Sequence, residues 1–413
     1  MQYKLSERIV FDKMSYEFLS KFFYKNFLKY EKIYIERFNA PTTKHFLFDI
    51  KQFNRKKEFQ MFFCYTEEFA LLSEIIYKQY VNFLQLIKIV PPIVLEQFKS
   101  SCIIDEVKSS NYIEGVNSTR REISDVLQGI SNTSRISSIV NKYYALISRE
   151  PFNFKTCEDV RNFYDVFIHE EIAANNPKYK LDGKIFRKDS VDISSATGKI
   201  LHRGSYPEEK IIENMNKALQ ILNDTTIPFL VRVSIFHYLF GYIHPFYDGN
   251  GRTSRFITAY FISEHFHYLP ALKLSLTIKR QRKKYYDLFK ETDSEINRGD
   301  LTPFVLGFVE IISDTFDSIE FALNRKMSLL LSFQKRLKPL LPKDELLQEL
   351  YEVLLQSALF FPYGVSMEDL MKWTGKSRNT IKSRLKTAPK DEILTLKSGK
   401  KNFYKLNMMI FLR

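Results

Sequence analysis

The stretch from 230 to 261 constrains this chain more than any other. Val233, Phe236, Phe240 and Ile243 recur at the spacing of one helix face, and Phe256, Ile257, Tyr260 and Phe261 repeat it. Between them stands Pro245-Phe246-Tyr247-Asp248-Gly249-Asn250-Gly251, which cannot be regular helix. Two buried helices hinged on a glycine-rich turn are therefore expected. The rest of the chain suits such company: 37 Phe and 24 Tyr against 13 Gly and 14 Pro favour long helices over turn-punctuated β architecture.

At 413 residues, one to three domains fit, with room for a sizeable core. Hydrophobic residues at 45% and charged residues at 27% exclude wholesale disorder and fibrous repeats. Residues 1–95 read as helices and connectors, with Pro91-Pro92 as a break. Residues 96–325 read as amphipathic helices with one β-like interruption, Ser190–Ile193 and Lys199–His202, a loose hairpin. Residues 326–413 begin with a helical linker running to about 359. Ser366 then caps one short helix, Thr374-Gly375-Lys376 turns, and Ser377 caps a second helix that Pro389 ends. Ile393–Leu396 and Phe403–Leu406 complete a hairpin, the order of a winged helix-turn-helix.

The formal charge of +14 suits a phosphate-bearing partner, though solvated lysine-rich faces would give the same balance. Cys64, Cys102 and Cys157 are scattered, so neither a disulfide framework nor a cysteine-based zinc site is expected. No apolar run reaches the length of a membrane span, and the N-terminus lacks a signal-peptide pattern. A soluble, cytoplasmic protein with no membrane partner is the expectation.

The chemistry concentrates in His244–Arg255. A helix ends at a histidine, a glycine-rich loop follows, and a new helix starts near Asn250. Backbone N–H groups at such a helix start form an anion site by geometry and dipole. Arg252 and Arg255 are three residues apart, on one helix face, and guanidinium forks suit a polyphosphate. Asp248 is placed to hold Mg²⁺, which prefers carboxylate and phosphate oxygens. His244 at the rim can take a proton from a hydroxyl. These parts describe phosphoryl or nucleotidyl transfer. His237, on an otherwise apolar face, is expected to be a core histidine.

The same twelve residues resemble the motif of the Fic (Fido) family, His-x-Phe-x-(Asp/Glu)-Gly-Asn-Gly-Arg-x-x-Arg, with no departure. Seven fixed positions match by chance in roughly one window in 10⁹ at about 5% usage each. The resemblance implies a mainly α fold, a Fic helical bundle over 96–325 with a small β-hairpin flap at about 190–202. It implies transfer of AMP from ATP to a Ser, Thr or Tyr hydroxyl of a target protein, which includes the chain itself, with Mg²⁺. By position, His244 is the general base and Asp248 the Mg²⁺ ligand. Gly249, Asn250, Gly251, Arg252, Thr253, Ser254 and Arg255 bind the nucleotide. Phe246 anchors the loop, and Asn297 and Tyr286 fall in the region that contacts adenine. Ile193, Lys199, Ile200, Leu201 and His202 belong to the flap that docks a target segment by strand pairing.

Upstream, Ser110-Asn111-Tyr112-Ile113-Glu114-Gly115 resembles the family's inhibitory motif, on a helix of about 103–116. There the Glu114 carboxylate would pair with Arg255 and compete with the γ-phosphate, with Ser110 anchored alongside. Rival readings are another nucleotide donor, removal of AMP at the same site, or a DNA-binding regulator whose Fic portion is a sensor. Lys376, Arg378, Lys382, Arg384 and Lys386 suit phosphate contacts, so the tail is expected to take DNA or a protein partner. Many relatives self-associate, which implies a homodimer.

Overall fold

Helix Phe229–Ile243 is apolar all round and buried along almost its whole length, as a helix without a polar face must be. It forms the axis of a mainly helical fold, seen in a computed structural model that describes residues 18–131, 135–194, 198, 200–360, 364–398 and 401–412. Around it pack Glu208–Asn223, Asn250–His265 and the long helix Thr302–Leu337. The two helices expected either side of the glycine-rich turn are present, ending at Ile243 and restarting at Asn250.

Pro92 at the first turn separates Glu67–Lys88 from Pro92–Ile113. The latter is the helix expected to carry the inhibitory residues. It starts eleven residues earlier than expected and ends at Glu114, its C-cap. Gly115 follows with φ +74, a left-handed conformation that glycine adopts without strain.

Residues 1–95 are not only helices and connectors. Thr43–Ile50 and Phe59–Cys64 form an antiparallel hairpin, with Phe46, Phe48 and Ile50 buried on one face and Leu47 exposed on the other. That alternation was present in the sequence. The helix Thr302–Leu337 runs through 325, so the expected junction there falls inside one element.

The flap pairs Asp192–Ser194 with Ile200–Arg203, antiparallel, and Arg203 grips Asp192 across it at 2.6 and 2.9 Å. In the tail, Ser366 accepts from Asp369 N and the Asp369 carboxylate accepts from Ser366 N, a reciprocal cap on Met367–Thr374. Gly375 turns with φ +66, and Ser377 caps Arg378–Leu385. Strands Ile393–Ser398 and Lys401–Leu406 pair antiparallel, and Val365–Ser366 adds to the other edge of the second. The tail rests on the helix that carries Glu114: Glu345–Phe360 packs against Pro92–Ile113, and the Phe360 ring meets Phe98 at 6.5 Å. Among the described residues, no helix is long and apolar enough to cross a membrane.

Candidate active site

His244 ends its helix in the left-handed region, φ +51, which is costly for a residue with a Cβ. Arg187, wholly buried, holds that end. Its Nε donates to His244 O at 2.9 Å, and its Nη2 donates to Ser205 O at 2.9 Å and Ile243 O at 3.4 Å. A cation there also complements the negative end of the helix dipole. Spacing gave no hint of Arg187.

The His244 imidazole is half-buried, with Nδ1 3.3 Å from Gly241 O. A carbonyl only accepts, so Nδ1 carries the hydrogen and Nε2 keeps its lone pair. Burial, with smaller contributions from the charges of His202 and Arg187, lowers the pKa to about 4. The ring is therefore neutral at pH 7 and able to accept a proton.

The loop itself is stapled. Asn250 Nδ2 donates to Phe246 O at 2.8 Å, and Phe246 N donates to Asn250 Oδ1 at 2.9 Å. The Phe246 ring, wholly buried, stacks on Tyr164 at 3.6 Å, and the Tyr164 hydroxyl donates to Asp248 O at 3.0 Å. Phe246 thus anchors the loop as expected. Asn250 opens the second helix as expected, and its side chain is committed to the turn. Gly249 has φ +79, and a Cβ on it would lie 2.7 Å from Ile172 Cδ1. The first-turn N–H groups of Asn250–His265 lie where a helix has no carbonyl of its own to satisfy them.

Replacing Asn250 by alanine leaves the buried N–H and C=O of Phe246 unpaired. We expect a loss of about 2 kcal/mol or more in urea unfolding at unchanged m. A loss under about 0.5 kcal/mol would contradict the staple.

Thr253 and Ser254, expected among the nucleotide contacts, are both buried, and Ser254 Oγ is 3.2 Å from His237 Nδ1. His237 is the core histidine expected, buried between Thr258 Oγ1 and the Tyr285 hydroxyl, each at 2.8 Å. Burial and the charge of Arg255 lower its pKa to about 3.

Arg252 and Arg255 are both buried. Arg252 Nη1 donates to Glu171 Oε2 at 3.1 Å, and Nη2 is 3.9 Å from Asp248 Oδ1. Burial raises the pKa of Glu171 despite Arg252 and Arg135 beside it. Glu171 is a site residue that spacing could not reveal. Arg255 is gripped on all sides: Nε donates to Ser110 Oγ at 3.1 Å, Nη2 to Ser110 O at 3.0 Å, and Nη1 meets Glu114 Oε1 at 2.8 Å. Burial opposes ionisation of Glu114, but the charge and hydrogen bond of Arg255 overcome it and hold the carboxyl below its usual range. Gly251 makes room: a Cβ there would stand 2.2 Å from Glu114 Oε1. The geometry brings Ser110, Glu114, Gly251 and Arg255 together as the sequence suggested.

One turn before Ser110, Glu106 is wholly buried and accepts from Ser275 N at 2.9 Å and Ser275 Oγ at 2.5 Å. It clamps the helix carrying Glu114 to the start of Leu274–Arg280, another feature the sequence did not disclose.

Asp248 is partly exposed, its Oδ1 accepting from Gly249 N at 2.5 Å. Among the described residues, no group of three or more His, Cys, Asp and Glu side chains is placed to hold a metal ion. A divalent cation at Asp248 would thus take its other ligands from phosphate and water, which is how Mg²⁺ is commonly held.

Asn297 is expected in the region that contacts adenine. It is wholly buried, its Nδ2 donating to Asp300 O at 2.7 Å and Thr292 O at 3.4 Å. The turn it shapes is a joint with the N-terminal hairpin, through Phe62 N to Gly299 O at 3.1 Å and Leu301 N to Phe62 O at 2.9 Å. Tyr286, 44% exposed, stands beside Tyr285 on the Arg255 side. In the flap, Leu201 is exposed and Ile193 and Ile200 are half-buried. The His202 side chain points inward, its Nε2 2.7 Å from Tyr242 O, and anchors the flap. Lys199 lies outside the described residues.

Residues 158–262, which contain Glu171 and the whole His244–Arg255 segment, match the model of the Fic/DOC family. The chain therefore carries a Fic domain over these residues. It is similar to the protein adenylyltransferase Fic of Drosophila sechellia, 28% identical over 137 residues, 33% of this chain and 25% of that protein. The protein adenylyltransferase Fic of Drosophila virilis is 38% identical over 81 residues, 20% of this chain and 15% of that protein. The chain therefore spans a quarter or less of the length of these relatives. A crystal structure of a Fic family protein from Desulfovibrio desulfuricans G20 shares the fold, with a TM-score of 0.50 at 21% identity, over 83% of this chain and 97% of that one.

Proposed function

We propose that this chain transfers AMP from ATP to a Ser, Thr or Tyr hydroxyl of a protein, itself included, and that Glu114 holds it in check. One observation carries the reading: His244, neutral with Nε2 free, stands at the rim of a helix start whose buried Arg255 already grips a carboxylate. The names of the relatives, protein adenylyltransferase, support the same chemistry.

His244 Nε2 takes the hydroxyl proton as that oxygen attacks the α-phosphorus of ATP, and diphosphate leaves. The N–H groups of Asn250–His265 face the phosphates at the positive end of the helix dipole. Arg255, once released by Glu114, neutralises the departing end, and Arg252 adds charge from its seat on Glu171. Asp248 would hold Mg²⁺, which supplies charge neutralisation on the phosphate oxygens. The exposed Leu201 edge of the flap presents the acceptor segment.

The test uses the Glu114→Gly chain with Mg²⁺ and ATP labelled at either the α- or the γ-phosphorus. Protein label from the α-position alone is expected. Label from the γ-position, or none from either, overturns the reading.

A further inference from the structure

The surface left unused by this site is the basic helix of the tail. From Leu370 to Lys390 the chain has seven Lys or Arg and no Asp or Glu. Residues 364–406 carry eleven Lys and Arg against four Asp and Glu. In helix Arg378–Leu385, wholly buried Ile381 and half-buried Leu385 pin one side to the module, and the rest is exposed. Arg378 is tied to Glu368 at 2.6 Å, and Arg384 to Asp344 at 3.2 Å. Among the described residues, Lys376, Lys382 and Lys386 have no acidic partner. Asn379 and Ser383, one turn apart and exposed, add uncharged hydrogen-bonding groups on the same side.

A protein-docking face would be expected to present aromatic or aliphatic anchors. From Lys376 to Ser383 every side chain except buried Ile381 is exposed and polar or charged. An exposed, cationic second helix fits the wide major groove of B-form DNA, whereas the major groove of an RNA duplex is too narrow to admit it.

We propose that Arg378–Leu385 binds the major groove of duplex DNA, with Lys376, Lys382 and Lys386 on phosphates and Asn379 and Ser383 toward base edges. This stands apart from the transfer reaction, and the failure of either reading leaves the other intact.

The test is fluorescence anisotropy of the full chain with a labelled DNA duplex of about 30 base pairs, between roughly 50 and 200 mM salt. With the three lysines on phosphates, the association constant falls by roughly 40-fold over that range. The double variant Lys382→Ala/Lys386→Ala, checked by circular dichroism, is expected to lower the salt slope by about 2. Lys210→Ala/Lys283→Ala removes equal charge from two helices elsewhere and should leave the slope unchanged. No binding at low salt, equal loss in both double variants, or equal binding of duplex RNA would overturn the proposal.

Discussion

Replacing Glu114 by glycine is expected to raise the initial rate of AMP incorporation by about 10- to 150-fold, the range set by losing one charge-assisted hydrogen bond to a competing ligand. The competition is spatial. Glu114 Oε1 occupies Arg255 Nη1 at 2.8 Å, the only guanidinium nitrogen of that residue not already facing Ser110. A phosphate oxygen seeking Arg255 must displace this carboxylate, or the nucleotide must settle without Arg255. Glu114→Gln, which keeps the shape and drops the charge, should fall between the two. A second readout separates a brake from a merely structural cap. Removing Glu114 leaves the buried charge of Arg255 paired only with neutral groups, costing on the order of 3 kcal/mol. ATP would restore the lost anion, so its stabilising effect on the melting temperature should be larger in Glu114→Gly than in the parent. Equal labelling rates for the two chains would end the brake.

What the sequence disclosed follows how local each feature is. The twelve residues from His244 to Arg255 lie on one helix end, one turn and one helix start, so their spacing already states their geometry. The link between Ser110, Glu114 and Arg255 spans 145 positions, yet it was legible as a resemblance because the motif names both partners. Glu171 and Arg187 carry no such signature. Their partners are backbone groups or a guanidinium brought near by folding, across 81 and 57 positions. Asn297 shows the opposite relation between sequence and fold. Its turn looks like a ligand loop in sequence, but Gly299 at φ +80, where a Cβ would stand 2.4 Å from Gln60 O, shows a backbone crossing against the N-terminal hairpin. The hairpin itself was hidden because Phe-rich, Lys-rich segments fit a helix face as easily as a strand unless the alternation of Phe46, Phe48 and Ile50 is given weight.

Replacing His244 by alanine in the Glu114→Gly chain is expected to lower the transfer rate by about 10²- to 10⁴-fold, the usual worth of a positioned general base. ATP affinity should stay within about threefold, because the N–H groups at the helix start, Arg252 and Arg255 do not depend on the imidazole. The pH profile carries the sharper test. A base works unprotonated, and burial holds the His244 pKa down to about 4. Lowering that pKa extends activity toward acid: kcat/KM should stay flat from pH 8 to about 5, then fall tenfold per unit below about 4. An imidazole at its ordinary pKa of about 6.5 would already have lost half its activity at about pH 6.5 and nearly all of it by about pH 5. Glu106, which burial pushes up to about 7, titrates inside the flat window and sits beside Ser275 on the helix that carries residue 114. The profile is therefore repeated with Glu106→Gln, so that any inflection near 7 that vanishes is assigned to the clamp. A surviving acid limb centred near 6.5, or a loss of ATP affinity in step with the loss of rate, would remove His244 from the proton transfer and return it to the role of a helix terminator.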